Sequence, residues 1–207
     1  VAVPADAAPD AVEELRQAAD KKAEERDFLE AIKLYKRATK ASGNRCAPCQ
    51  IGMAKAYAGR GELKDAAKSA EAALRMTDDP LLLAPAWNQL ALAQFSLAGS
   101  DAPKLRLAEA SFREALRLAP TPMIQYNLGV TLLRLGRDEE GLAGTLAKEA
   151  ARMEQPQAKA ARDILENPRR ARESMLPSLD LVTLDGRRVT NSDLTGKVVL
   201  LDFWGTW

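Results

Sequence analysis

The chain has 207 residues, with 30 Lys and Arg against 29 Asp and Glu, and no histidine. The net charge of +1 leaves no excess to draw nucleic acid or an anionic membrane, and the lack of imidazole excludes a Ser-His-Asp triad, a Cys-His pair and any histidine metal site. Hydrophobic residues make up 46% but aromatics only 5%, so the core is built mainly from Ala and Leu, which suits close-packed helices. No apolar stretch approaches the roughly 18 residues of a membrane-spanning helix.

The opening VAVPADAAPD carries no Met and is rich in small residues and Pro, as a trimmed N-terminus would be; residues 1–11 are expected to be a flexible lead-in. From residue 12 a period of about 34 residues sets in. Ala31, Tyr35 and Ala38 stand four and three apart, and Ala66, Ala70 and Ala73 repeat that spacing. Ala108, Phe112 and Ala115 do so again, followed by Pro120. Upstream of each set, Tyr57, Trp87 with Leu90-Ala91, and Leu128-Gly129 supply a first helix. Turns such as Gly59-Arg60-Gly61 and Leu135-Gly136-Arg137 separate the two helices of a pair. Small residues at successive turns let paired helices approach closely, and the larger residue fills the gap that remains.

This pattern of Trp, Leu-Gly, Tyr, Ala, Phe, Ala and Pro resembles the tetratricopeptide repeat. The resemblance implies a mainly α fold, a solenoid of helical hairpins with repeats near 12–45, 47–80, 84–120 and 122–155. Repeat 3 carries an extra stretch, Gly99–Leu105, and repeat 4 has Gly141 where Ala is expected. Terminal repeats are often atypical in this way. A last helix is expected from Gln157 to about Ser174, interrupted at Asn167-Pro168, within a capping and linking segment at 156–176.

Between repeats 1 and 2 lies Cys46-Ala47-Pro48-Cys49. An even cysteine count suits a local structural disulfide or an inert pair, in an oxidising compartment. The spacing alone motivates an accessory redox pair, and two thiols without histidine leave zinc short of ligands. These readings stay open at this stage, and no metal or cofactor is expected.

In tetratricopeptide arrays the first helices line a groove that holds protein or peptide ligands. The resemblance places Arg16, Asp20, Ile51, Lys55, Asn88, Leu92, Phe95, Met123, Tyr126, Val130 and Arg134 there. Arg16, Asp20, Lys55, Asn88, Phe95, Tyr126 and Arg134 are the candidate partner-binding set. Asn can bond both backbone groups of an extended chain, while Lys and Arg attract carboxylates. Leu92, Phe95 and Tyr126 equally suit ordinary helix contacts.

At Pro177 the helical pattern gives way to strand signals. LDLVTLDGRRVT alternates around the hairpin dipeptide Asp185-Gly186, Asn191–Leu194 offers a short capped turn, Gly196 a break, and Val198–Phe203 an apolar strand. Asp185-Gly186, Asp193-Leu194, Gly196-Lys197 and Phe203-Trp204-Gly205-Thr206-Trp207 follow one another as in the redoxin class, the thioredoxin-like domains of TlpA- and ResA-type proteins. Residues 177–207 thus resemble the start of such a domain, with Trp204, Thr206 and Trp207 flanking a Cys-x-x-Cys expected directly after Trp207. The resemblance implies an exported, periplasmic parent acting as a thiol-disulfide oxidoreductase, with cytoplasmic placement left open. No catalytic residue of that kind stands in the present chain, so catalysis belongs to the parent. The competing reading is a scaffold with no redox role, whose C-terminal strands complete the cap or pair with another chain. Val198–Phe203, as an apolar edge, carries an expectation of self-association.

Overall fold

The computed structural model describes residues 9–137, 164, 167–172 and 180–196. It divides into two units, 1–172 and 173–207, each taken by itself below. The first unit contains seven described α-helices: α1 Pro9–Glu24, α2 Phe28–Ala41, α3 Ala47–Gly59, α4 Leu63–Leu74, α5 Pro80–Ala98, α6 Ala102–Leu118 and α7 Pro122–Arg134.

The helix starts follow from local chemistry. Asp27, Asp79, Asp101 and Thr121 each accept a backbone N–H of the first helical turn, and Pro48, Pro80, Pro103 and Pro122 occupy first-turn positions that need no donor. The turns inside the pairs need a left-handed residue. Gly61 (φ 78°), Gly99 (φ 55°) and Gly136 (φ 75°) supply it, but between α1 and α2 that residue is Arg26 (φ 61°). α1 also begins at Pro9, three residues ahead of the expected array start.

The periodic alanines are the core. Ala31, Ala38, Ala70, Ala73, Ala108 and Ala115 are wholly buried, with Phe112 at 0% exposure and Tyr35 at 2%. Each helix packs on the next in sequence, and α1 on α3, α3 on α5 and α5 on α7. The odd-numbered helices approach one another more closely than the even-numbered ones, so they carry the inner, concave face. The resulting architecture is the helical-hairpin solenoid expected from the repeat.

Glu109 of α6 is nearly buried and accepts hydrogen bonds from Arg113 of the same helix and, through both oxygens, from Arg137 just past α7 (2.8 and 2.9 Å). This charge-assisted pair ties the third hairpin to the end of α7. Asn167 caps a 3-10 turn at Pro168–Ala171, so the chain does break where the Asn-Pro step stands. The rest of the expected capping helix and the second helix of repeat 4 lie outside the described residues.

In the second unit, β1 Asp180–Val182 pairs antiparallel with β2 Arg188–Thr190, Leu181 opposite Val189. The connection is longer than a two-residue turn. Gly186 donates to the Thr183 carbonyl and Thr183 to the Arg187 carbonyl (both 2.8 Å), with Gly186 at φ 82°, a turn closed by a glycine bulge. Asp180 and Arg188 pair across the strands through two bonds of 2.6 Å. Asn191–Leu194 forms a 3-10 turn boxed by Thr190 and Asp193. Val198–Phe203 and the residues Trp204, Thr206 and Trp207 lie outside the described residues.

Candidate functional site: a cleft across the first three hairpins

The concave face opens into a cleft of about 540 Å³ bounded by α1, α3 and α5, the first helices of three successive pairs. Arg16, Asp20 and Glu24 come from α1, Ile51 and Lys55 from α3, and Leu82 and Pro85 from α5. Three of the seven candidate binding residues, Arg16, Asp20 and Lys55, are therefore brought together. Their spacing of four along a helix puts Arg16 above Asp20, and Ile51 above Lys55, on one face.

One wall is a hydrogen-bonded chain. Arg16 pairs with both Glu13 and Asp20, and Asp20 accepts the Tyr35 hydroxyl hydrogen at 2.5 Å. Burial, and then the Asp20 carboxylate, push the Tyr35 phenol well above its ordinary range. Tyr35 thus stays a neutral donor, and any stability from this contact is present below the unfolded phenol value and lost only on strong alkalinisation. At the outer end, hydrogen bonds from Arg16 and Gln17 lower the Glu13 carboxyl from an ordinary 4.5 to about 2.

A depressed carboxyl contributes above its unfolded value and loses that contribution as pH falls through its folded one. Between pH 4.5 and 2, then, Glu13 is expected to stay ionised while most exposed carboxyls protonate. A carbon-13 NMR titration of its carboxyl checks this; an apparent value near 4.5 contradicts the Arg16 contact.

Lys55 and Glu24 have no ion-pair partner among the described residues, so the cleft offers one free charge of each sign over an apolar floor. Gly52 and Phe28 complete that floor, and neither was evident as a site residue in the sequence. At Gly52 the hydroxyl end of the Tyr35 ring presses against α3, which needs a residue without Cβ. Gly59 is likewise covered by the Phe28 ring.

The other end of the face is differently filled. Phe95 and Tyr126 pack with Val130, Leu133, Ala171 and Ile164 in one apolar cluster. Arg134 stacks 4.2 Å from the Phe95 ring centroid and its Nε donates to the Ala171 carbonyl at 3.0 Å. Burial raises the Tyr126 phenol as well. Phe95, Tyr126 and Arg134 therefore contact the chain's own C-terminal segment of this unit. Asn88 lies between the two ends with its Oδ1 shielded and without a hydrogen-bond partner among the described residues.

Cys46 and Cys49 are joined in a disulfide, with Cα atoms 5.2 Å apart and exposures of 7% and 0%. Cys46 is also the N-cap of α3, its Sγ accepting the Cys49 N–H at 3.2 Å. A native Ellman assay is expected to find no free thiol. Reduction is expected to cost about 2 kcal/mol, the chain-entropy value for so short a loop. Urea titrations with and without reductant measure it; coincident curves would show the bond adds nothing.

Among the described residues, no group of Cys, Asp and Glu could hold a metal ion, and no helix is long and apolar enough to cross a membrane.

Paired helices of this spacing, with an open face carried by the first helix of each pair, give the chain a helical-hairpin solenoid fold like that of tetratricopeptide arrays. No family model matches the chain, and no curated protein matches it. Among solved structures, it is similar to YrrB, described as a tetratricopeptide repeat protein with an unusual peptide-binding site. The likeness has a TM-score of 0.54 at 20% identity and covers 81% of this chain and 88% of that one. It shows the fold.

Proposed function

We propose that this chain is a protein-interaction module that holds an extended segment of a partner in the α1–α3–α5 cleft. The observation that carries this reading is the cleft itself, lined by three successive first helices and offering unpaired Lys55 and Glu24 above an apolar floor. The peptide-binding site named for YrrB supports the same use of the fold.

Random peptides displayed on phage and panned against the protein test it. Enriched peptides are expected to bind in fluorescence anisotropy, and Lys55→Glu with Glu24→Lys to weaken them about fivefold or more, the scale of two exposed charge contacts. Peptides that bind both proteins alike would remove the cleft from consideration.

The parent is, in this proposal, an exported thiol-disulfide oxidoreductase of the redoxin class, supported by the motif residues between Asp185 and Trp207. An array and an enzyme on one chain raise the effective concentration of a docked substrate at the thiol site. Reading the coding sequence beyond Trp207 separates the alternatives. A Cys-x-x-Cys directly after it supports the redox parent, whereas a stop codon leaves a scaffold. A signal peptide ahead of Val1 supports export.

A further inference from the structure

A second cleft, of about 380 Å³, lies away from the α1–α3–α5 cleft and is lined by Lys64, Gln94, Leu97, Lys104 and Leu107. It forms where the third helix pair meets the start of α4. Ten residues of α6 precede Phe112, whereas seven of α4 precede the matching Ala70. The extra stretch of repeat 3 has thus become nearly one added helical turn, and Lys104 stands on it.

Two features of this cleft are unlike an ordinary solvated surface. Leu97 and Leu107 are 40% and 58% exposed, large aliphatic groups side by side in water. The charged side chains around them are both cationic. Lys64 has no ion-pair partner among the described residues, and Lys104 has only its own cap residue, Asp101, at 2.9 Å. In addition, α4 begins without a side-chain cap, because the Glu62 carboxylate turns to Arg60. The positive end of the α4 dipole therefore adds to the field of Lys64.

We propose that this cleft docks an acidic amphipathic helix of a partner protein. Aliphatic side chains spaced three and four apart on that helix would cover Leu97 and Leu107, and carboxylates flanking them would meet Lys64 and Lys104. The charge complementarity selects an acidic partner over a basic one, and the added turn of α6 supplies a wall that the first two hairpins lack. The site is independent of the α1–α3–α5 cleft, so a partner can engage both.

The test uses the whole chain and a fluorescein-labelled synthetic helix of about four turns. Leucines stand at i, i+3, i+4 and i+7 with glutamates elsewhere, and a control peptide keeps the leucines but replaces each glutamate by lysine. The acidic peptide is expected to bind about tenfold or more tightly than the basic one, with affinity falling as salt rises. Lys64→Glu with Lys104→Glu is expected to weaken the acidic peptide about tenfold and to erase the preference. Leu107→Asp, at a position exposed enough to leave the helices intact by circular dichroism, is expected to abolish binding. Lys55→Glu, in the other cleft, is expected to leave it unchanged. Equal binding of the two peptides, indifference to the double charge reversal, or a self-associated chain that Leu107→Asp turns to monomer would each overturn the proposal.

Discussion

Gly52→Ala is expected to destabilise the array by about 2 kcal/mol, although glycine to alanine inside a helix ordinarily gains about 1 kcal/mol. The sign reverses because the added Cβ would overlap the Tyr35 ring, meeting Cε1 at 2.5 Å and the hydroxyl oxygen at 2.6 Å. Tyr35 is 2% exposed and packs in one cluster with Ala19, Ile32 and Met53, so shifting the ring disturbs that cluster. Overpacking of this kind costs about 1–3 kcal/mol, and displacing the ring also breaks its hydrogen bond to the Asp20 carboxylate, worth about 1.5–3 kcal/mol. Together these outweigh the helix-propensity gain.

A double-mutant cycle isolates the cause. With Tyr35→Ala already present, the ring is gone and Gly52→Ala should become neutral or stabilising. Urea midpoints for the four proteins measure it. An equal loss in both backgrounds would place the strain in the α3 backbone instead. The consequence for binding follows from the same contact, since Tyr35 and Gly52 both face the α1–α3–α5 cleft. Gly52→Ala should therefore weaken cleft ligands at temperatures where the array is still folded.

The helix pairs were readable because their signal is local. Alanines four and three apart mark a buried stripe within a single helix, and the structure buries Ala31, Ala38, Ala70, Ala73, Ala108 and Ala115 completely. The inner face was readable in outline for the same reason, and Arg16, Asp20 and Lys55 do meet in one cleft. What could not be read is what each position meets across the chain. Phe95, Tyr126 and Arg134 share the first-helix spacing of the open residues, yet Ile164 and Ala171 fill their end of the face from far downstream in the sequence. Gly52 looks only like a weak helix residue until Tyr35 is placed against it. Arg26 carries none of the turn chemistry of Gly61 or Gly136, although it adopts the same left-handed backbone. Glu109, an apparent surface charge, turns inward because Arg137 reaches it from beyond α7. Arg26 apart, a long-range partner decides the role in each case, and composition and period are silent about partners.

Phe112→Ala is expected to cost about 4 kcal/mol, and the loss should be uneven along the molecule. Phe112 is fully buried in a cluster that joins α5, α6 and α7 through Ala91, Ala108, Ala115, Ile124, Leu128 and Leu132. Half of its buried companions, Ala91, Ala108 and Ala115, are alanines with no spare length to close the cavity, which places the cost toward the upper part of the range for such truncations. The first helix pair shares a separate cluster with α3, around Ala31, Tyr35 and Met53, whereas the clusters around Ile51 and Leu90 join the second pair to α5. In an array each pair contacts only its neighbours, so stability is a sum of pair and interface contributions, and damage to one pair spreads only as far as its interfaces carry it. Native-state hydrogen exchange should then show amides of α5, α6 and α7 losing protection while those of α1, α2 and α3 keep theirs. Protection lost equally in all seven described helices would mean instead that the interfaces are strong enough to make the array one cooperative unit. Phe112→Leu separates cavity from fold, since it keeps most of the volume and should cost about 1 kcal/mol. Because α5 also walls both clefts, the uneven result would carry a functional meaning: ligands that span α3 and α5 would hold the weakened third pair against the second.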